Sequence, residues 1–282
     1  MILFRFFMIL EKSHSHKEKY LAVYVIFCNF AASNRKSMMK KVLFLMIGVM
    51  VLTGCVVNFG KWGATIIDAS ENIVTKKYEL AAFDEVAMHC VGNVELIQSD
   101  SISGTVELTA PDNYIELYRF ESKSGRLDIN FQKDNINIHT ENVMIKVYTA
   151  DLRNVKNSGA ASMSMDMLST DRLEVSNSGV GTFSLQQLQA GNVKVKCSGV
   201  GNITISGQCS NVDLSCSGVG SINAQELKAQ NAKAKVSGVG GISCFASEHL
   251  DGKVSGVGNL KYAGHPKSID KRESGVGKIE AI

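Results

Sequence analysis

Apolar and polar residues alternate with period two through most of residues 151–282, and the alternation restarts about every twenty residues at a short motif, S-G-V-G. The motif begins at Ser178, Ser198, Ser217, Ser237, Ser255 and Ser274, and a variant, S-G-A-A, begins at Ser158. Successive starts are 20, 20, 19, 20, 18 and 19 residues apart. A near-constant period of this length is the signature of a solenoid in which each repeat is one coil stacked on the last.

Alignment of the coils on that serine separates inward from outward positions. Five residues before it stand Leu173, Val193, Val212, Ala232, Leu250 and Ile269; three before it, Val155, Val175, Val195, Leu214, Ala234 and Gly252. One residue before it stand Asn157, Asn177, Cys197, Cys216, Val236 and Val254. Beyond the motif, Met163, Phe183, Ile203, Ile222, Ile242, Leu260 and Ile279 form a further apolar column, and Met165, Leu185, Ile205, Ala224, Cys244, Tyr262 and Ala281 another. Polar residues separate the columns, which is the pattern of half-buried strands. The expectation is two short strands per coil joined at S-G-V-G. Stacked coils of this kind form a parallel β-helix, right-handed because parallel crossovers are right-handed in nearly all cases. Helical repeats would need apolar spacings of three and four, and paired glycines disfavour them.

The motif itself poses the main question. Its glycines tolerate positive φ and close backbone approach, as a corner between strands requires. A corner that shifts the alternation by one would turn Val180, Val200, Val219, Val239, Val257 and Val276 into the core, and this is the favoured expectation. A chain that stayed in phase through the motif would place them outside as an apolar stripe, the candidate binding surface, since soluble proteins rarely leave large apolar patches exposed. The serines are expected to stack as a ladder that bonds neighbouring backbone. No histidine or acidic residue recurs beside them to act as a base.

Residues 73–150 lack the repeat, although Cys90–Leu96 resembles Gly199–Ile205 and reads as a degenerate coil. The segments GTVELTA, NYIELYRFES, GRLDINFQ and NVMIKVYTA read as longer strands that cap the first end of the solenoid, with Pro111-Asp112-Asn113 as a polar turn. At the other end Lys271 and Glu273 replace apolar residues in the inward columns, as a terminal cap should. Residues 73–282 are thus expected to form one all-β domain, with the repeats in 151–282.

Upstream, Lys40 and Lys41 precede an apolar run from Val42 to Leu52 and then Leu52-Thr53-Gly54-Cys55. Residues 38–54 have the parts of a secretory signal, and eleven apolar residues are too few for a membrane span. The last four resemble the lipobox of bacterial lipoproteins, which implies cleavage before Cys55 and a lipid on its sulfur, worth roughly 0.8 kcal/mol per buried methylene. Residues 55–72, with Trp62, read as a tether, and residues 1–37 as sequence upstream of the true start. The expected address is the cell envelope, lipid-anchored in the outer membrane of a Gram-negative cell, on either side of it.

Charge changes sign when the chain is divided at that cysteine. Eight Lys or Arg stand against two Glu up to Cys55, and 22 basic against 25 acidic residues follow. A slightly acidic body weighs against a nucleic-acid partner. Of seven cysteines, Cys90, Cys197, Cys209, Cys216 and Cys244 remain beyond the anchor. Five is odd and no C-x-x-C occurs, so neither zinc nor a disulfide framework is expected. Cys197 and Cys216 share a column, yet side chains stacked in parallel point the same way, and buried free thiols are expected.

The order Phe83-Asp84-Glu85-Val86, Val94-Glu95-Leu96, Gly125-Arg126-Leu127-Asp128-Ile129, Val143 to Tyr148, Leu152 and then the S-G-V-G coils resembles the family called putative auto-transporter adhesin, head GIN domain. The resemblance covers residues 78–282 and implies a secreted or lipid-anchored bacterial β-helix with an adhesive role. Family members commonly carry Pro before the Leu that enters the coils, where Ala150-Asp151 stand here. It supplies no catalytic residues, and no metal or cofactor is expected.

Three functions fit. The first is a non-enzymatic envelope protein whose faces bind a glycan or protein partner. A polysaccharide-active lyase or hydrolase is the second, but Asp166, Asp171, Asp213 and Glu226 fall at different points of the repeat, and His89, His139, His249 and His265 are scattered. A structural spacer is the third. Cys55→Ala is expected to abolish membrane anchoring, read by fractionation and mass spectrometry; mutant protein that stays lipid-modified would refute the lipobox assignment.

Overall fold

The computed structural model describes residues 65–282, so Cys55, Trp62 and the signal segment lie outside the described residues. These residues form a β-solenoid. The strand Ala160–Asn177 pairs in parallel with Val180–Cys197, and that strand with Val200–Cys216. The next coils are broken into shorter strands, Val219–Ala224 with Leu227–Val236 and Val239–Phe245 with His249–Val254, which continue the same parallel stack. The inward columns are buried along the coils, as alternation on a one-sided surface demands, and open only at the last coil, where Ile269 and Ala281 are exposed. One continuous core runs from Phe83 to Ile279.

Each coil carries more than the two expected strands. Leu168, Leu188 and Leu227 stack in register through Gly207 and form an inward column that the two-strand reading omits. Between Met165 and Leu168, two consecutive residues, Asp166 and Met167, face outward. The phase of the alternation therefore shifts at this corner, and again before Leu173, giving a third paired side to the coil.

Stacking order differs from chain order at the first end. The degenerate coil, Glu85–Met88 and Val91–Gln98, lies beneath Asn154–Asn157 and Ala160–Met165, with Val91 paired to Ala160 and Val94 to Met163. Beneath it in turn lie Arg126–Phe131 and Met144–Thr149, both parallel to it although later in sequence. The chain thus leaves the solenoid after Gln98, builds a cap and returns at Asp151. The cap strands run antiparallel: Thr105–Pro111 covers Met144–Thr149, Ile73–Glu79 covers Thr105–Pro111, and Tyr118–Lys123 covers Arg126–Phe131. Antiparallel partners end the stack because a hairpin can return without another crossover. Two expectations are corrected here. Asp112–Ile115 is a single helical turn rather than turn and strand, with Tyr114 buried and its hydroxyl donating to the Ile67 carbonyl at 2.6 Å. Residues 65–72, expected in the tether, belong to the folded body: Thr65–Ile67 pairs with Ile136–Ile138, and the Asn72 amide donates to Asp112 at 2.9 Å.

At the far end Ser268–Glu273 is exposed along its length. The Lys271 ammonium lies 4.7 Å from the Tyr262 ring centroid, and the Glu273 carboxylate accepts the Ile279 N–H at 2.6 Å. Charged side chains fold over the last apolar layer, which blunts an edge that would otherwise template aggregation.

The S-G-V-G turns are paired between coils like the strands. The Val180 N–H donates to Gly159 O at 2.9 Å and the Val200 N–H to Gly179 O at 2.9 Å. A Cβ built on Gly201, whose φ is +139°, would overlap the Gly181 carbonyl oxygen one coil below. Both conformation and space therefore exclude a side chain there. The inward position just before the serine serves the same turn. The Asn157 amide donates to Asn177 Oδ1 at 3.1 Å and Val180 O at 3.2 Å, and the Cys216 thiol points at Gly220 O, 3.4 Å away.

Cys90, Cys197, Cys209, Cys216 and Cys244 are buried free thiols. Burial pushes Cys90, Cys209 and Cys244 up to about 12, so they stay protonated. Cys197 and Cys216 are paired in register, and the neighbouring Cys197 sulfur together with burial holds Cys216 well above the ordinary thiol range. Alkylation without reductant is expected to label all five only after denaturation; a recovered bridged peptide would refute this. Gly201→Ala is expected to cost at least ~3 kcal/mol in a denaturant melt, because the backbone of two coils must separate to admit the methyl group.

Candidate functional site

The six valines do not enter the core. Val180, Val200, Val219, Val239 and Val257 are 50–57% exposed and Val276 82%. The favoured inward expectation is overturned, and the reason lies in counting. Asn177 and Phe183 are both buried and six residues apart, an even number, so the chain passes through the motif without losing phase. Ser178, Val180 and Thr182 face out, while the glycines take the inward positions where backbone crowds backbone. The inward columns already contained this parity.

The valines stack in register, Val180 on Val200, Val200 on Val219 and Val219 on Val239, at the ~4.8 Å spacing of paired strands. Val257 and Val276 extend the stack through N–H bonds to Gly238 O and Gly256 O, both 3.1 Å. Exposed serines flank the stripe on one side. Covering the outer half of one valine would be worth roughly 1 kcal/mol, and the stripe repeats that increment from coil to coil.

The expected serine ladder exists in part. Ser158 Oγ lies 3.2 Å from Met88 O and Ser178 Oγ 3.3 Å from Asn157 O. The first serine also has a neighbour that the linear repeat concealed. His89 Nδ1 lies 2.7 Å from Ser158 Oγ, and His89 Nε2 lies 3.0 Å from Asp128 Oδ1, which accepts from Arg126 at 2.6 Å. These residues are 69 and 39 positions from His89 in the chain. The order is that of a serine-histidine-aspartate relay, but acyl transfer also needs backbone donors aimed at the oxyanion. Here the Ser158 and Gly159 N–H groups both donate to Met88 O, at 2.9 and 3.3 Å. The grouping ties the motif turn to the coils beneath it.

The carboxylates weighed for polysaccharide cleavage stay apart. Asp166, Asp171 and Glu226 are exposed, and Asp213 is half-buried among lysines. Among the described residues no three His, Cys, Asp or Glu side chains are placed to hold a metal ion.

A second surface lies on other columns. A groove of about 650 Å³ runs across the coils from Glu85 to Asp251. One of its walls is an amide ladder, in which Asn211 donates to Asn192 Oδ1 and Asn231 to Asn211 Oδ1, each at 3.0 Å. The next outward column alternates in charge, with Glu174, Lys194, Asp213, Lys233 and Asp251 in consecutive register. Lys196 donates to Glu174 at 2.9 Å and holds that carboxyl below the usual range. The asparagines recur in the sequence six residues before the serine, a polar position outside the apolar columns.

The family model described as "Putative auto-transporter adhesin, head GIN domain" matches residues 82–266. A crystal structure of "a putative adhesin" from Bacteroides fragilis NCTC 9343 is similar at 29% identity and a TM-score of 0.74, covering 77% of this chain and 100% of that one. Two structures from Parabacteroides distasonis ATCC 8503, a "putative adhesin" at 24% identity and a "Putative lipid binding protein" at 22%, each have a TM-score of 0.63 and cover 77% of this chain and 100% of theirs; they share the fold. No curated protein matches the chain.

Proposed function

The chain belongs to the family described as "Putative auto-transporter adhesin, head GIN domain", and from that premise we propose that it is a non-enzymatic, lipid-anchored adhesin whose contact surface for a protein partner is the valine stripe. The observation that carries the reading is the in-register exposure of six valines on one ridge. Nothing in the folding of a coil requires valine there, since the position faces solvent and its backbone already pairs between coils. Apolar side chains repeated outward at one position of every coil serve a surface that something covers.

The repeat also sets how such a surface binds. Each coil offers the same small apolar increment on a rigid axis, so the contacts add without ordering a loop, and the entropic cost of binding stays low. The envelope address follows from the family, and no helix among the described residues is long and apolar enough to cross a membrane. Attachment through a lipid on Cys55 accounts for that address, with the short segment before Thr65 linking anchor and body.

Val219→Asp is expected to change stability by less than ~1 kcal/mol, because the side chain lies outside. Cells carrying Val200→Ser, Val219→Ser and Val239→Ser together are expected to attach to one another or to a protein-coated surface at least tenfold less than wild type, at equal envelope levels. Unchanged attachment would remove the stripe as the contact surface, and a large loss of stability in Val219→Asp would remove its exposure.

A further inference from the structure

We propose that the groove beside the asparagine ladder is a binding site for an uncharged, hydroxyl-rich polysaccharide lying along the solenoid axis. The site is independent of the valine stripe: Asn192 and Val200 are eight residues apart along one coil and belong to different outward columns.

The first observation is the unused hydrogen-bonding capacity of the ladder. A primary amide has two N–H donors and an oxygen with two acceptor sites. Asn211 uses one donor on Asn192 and accepts one bond from Asn231, which leaves one donor and one acceptor site on the same side chain. The ladder thereby orients its amides, and it presents free donor and acceptor sites on three successive coils, between Arg172 and His249. A chain of like-oriented amides is also polarised by its own bonds.

The charge pattern is the second observation. Lys194 and Lys233 alternate with Glu174, Asp213 and Asp251 along the neighbouring column. A polyanion in this groove would meet a carboxylate at every other coil, and a polycation an ammonium at every other coil. A hydroxyl is donor and acceptor at once, so a polyol is satisfied by both. The apolar residues of the lining, Leu173, Val193, Val212 and Ala232, are buried, so an apolar ligand would strip water from amides and charges and gain little apolar contact in return.

Direction supplies the third. The groove crosses the strands from Glu85 to Asp251, so its long axis is perpendicular to them. A peptide that binds by adding a strand must run along a free edge, and these strands are paired on both sides within the stack. A linear polymer with one recognition unit per few ångströms fits a groove whose polar groups recur at the ~4.8 Å coil spacing.

Native affinity electrophoresis of the full-length protein in detergent tests the site. The gels contain neutral glucan, mannan, galactan or xylan, with polygalacturonate as the acidic comparison. Retardation by at least one neutral polymer is expected, little changed by 0.5 M salt since no ion pairing is involved, on the order of the screening that removes surface charge effects. Asn192→Ala with Asn211→Ala should weaken retardation at least tenfold, while Val219→Asp should leave it unchanged. Absence of retardation by every neutral polymer, retardation only by polygalacturonate, or equal binding by the double alanine variant would each overturn the proposal. Because the asparagines are at the surface, a denaturant melt of the double variant separates lost binding from lost folding; if it proves unfolded, Asn211→Asp, which keeps the shape and removes the donors, replaces it under the same criteria.

Discussion

The contact on which the rest of this structure depends is the approach of one S-G-V-G turn to the turn of the coil below. At Gly201 the space for a Cβ is occupied by the carbonyl oxygen of Gly181, and φ is positive. With hydrogen in place of a side chain, the valine N–H groups of the turns reach the glycine carbonyls one coil away at 2.9–3.1 Å. The corner is thus continuous with the sheet. Coil registers are locked at each such corner, and the outward columns align because the corners do.

That alignment also explains the polar residues in the core. Asn157 and Asn177 occupy an inward column whose later members are Cys197, Cys216, Val236 and Val254. Burying an amide without partners is costly, yet here the amides bond each other and carbonyls of the turn. The two cysteines point their thiols at turn carbonyls in the same way, and the valines fill the same volume with no donor. From one end of the solenoid to the other the column moves from hydrogen-bonding to apolar packing, while the backbone of the turn is unchanged.

A ladder repeats whatever stands at each outward position, and this gives the two candidate surfaces their character. The valine ridge is apolar and offers area without hydrogen bonds. In the groove, amides and alternating charges offer hydrogen bonds of both senses and almost no net field. Contacts that are weak in one coil add along a rigid axis, which suits adhesion to extended or repeated partners better than the enclosure of a small molecule. The Ser158, His89 and Asp128 grouping shows the limit of side-chain resemblance: with the neighbouring N–H groups committed to Met88 O, its order serves cohesion between coils.

By itself the sequence determined the solenoid, its period, the buried columns and the caps, because each depends on local alternation and on glycine recurring at one place. It also contained the outward direction of the valines, since Asn177 and Phe183 are an even number of residues apart and the glycine corner does not shift the phase. The shift occurs instead between Met165 and Leu168, where two adjacent residues face out and no glycine marks the bend. Only the tertiary structure decided which distant segments share a coil. Arg126–Phe131 and Met144–Thr149 lie beneath Glu85–Gln98, an order inverted from that of the chain, and this inversion brings His89 to Ser158 and Asp128. The groove likewise exists only once the coils are stacked. Alternation reports which face a residue takes and is silent about which strand will lie beside it, because pairing energy is settled between segments that the chain itself keeps far apart.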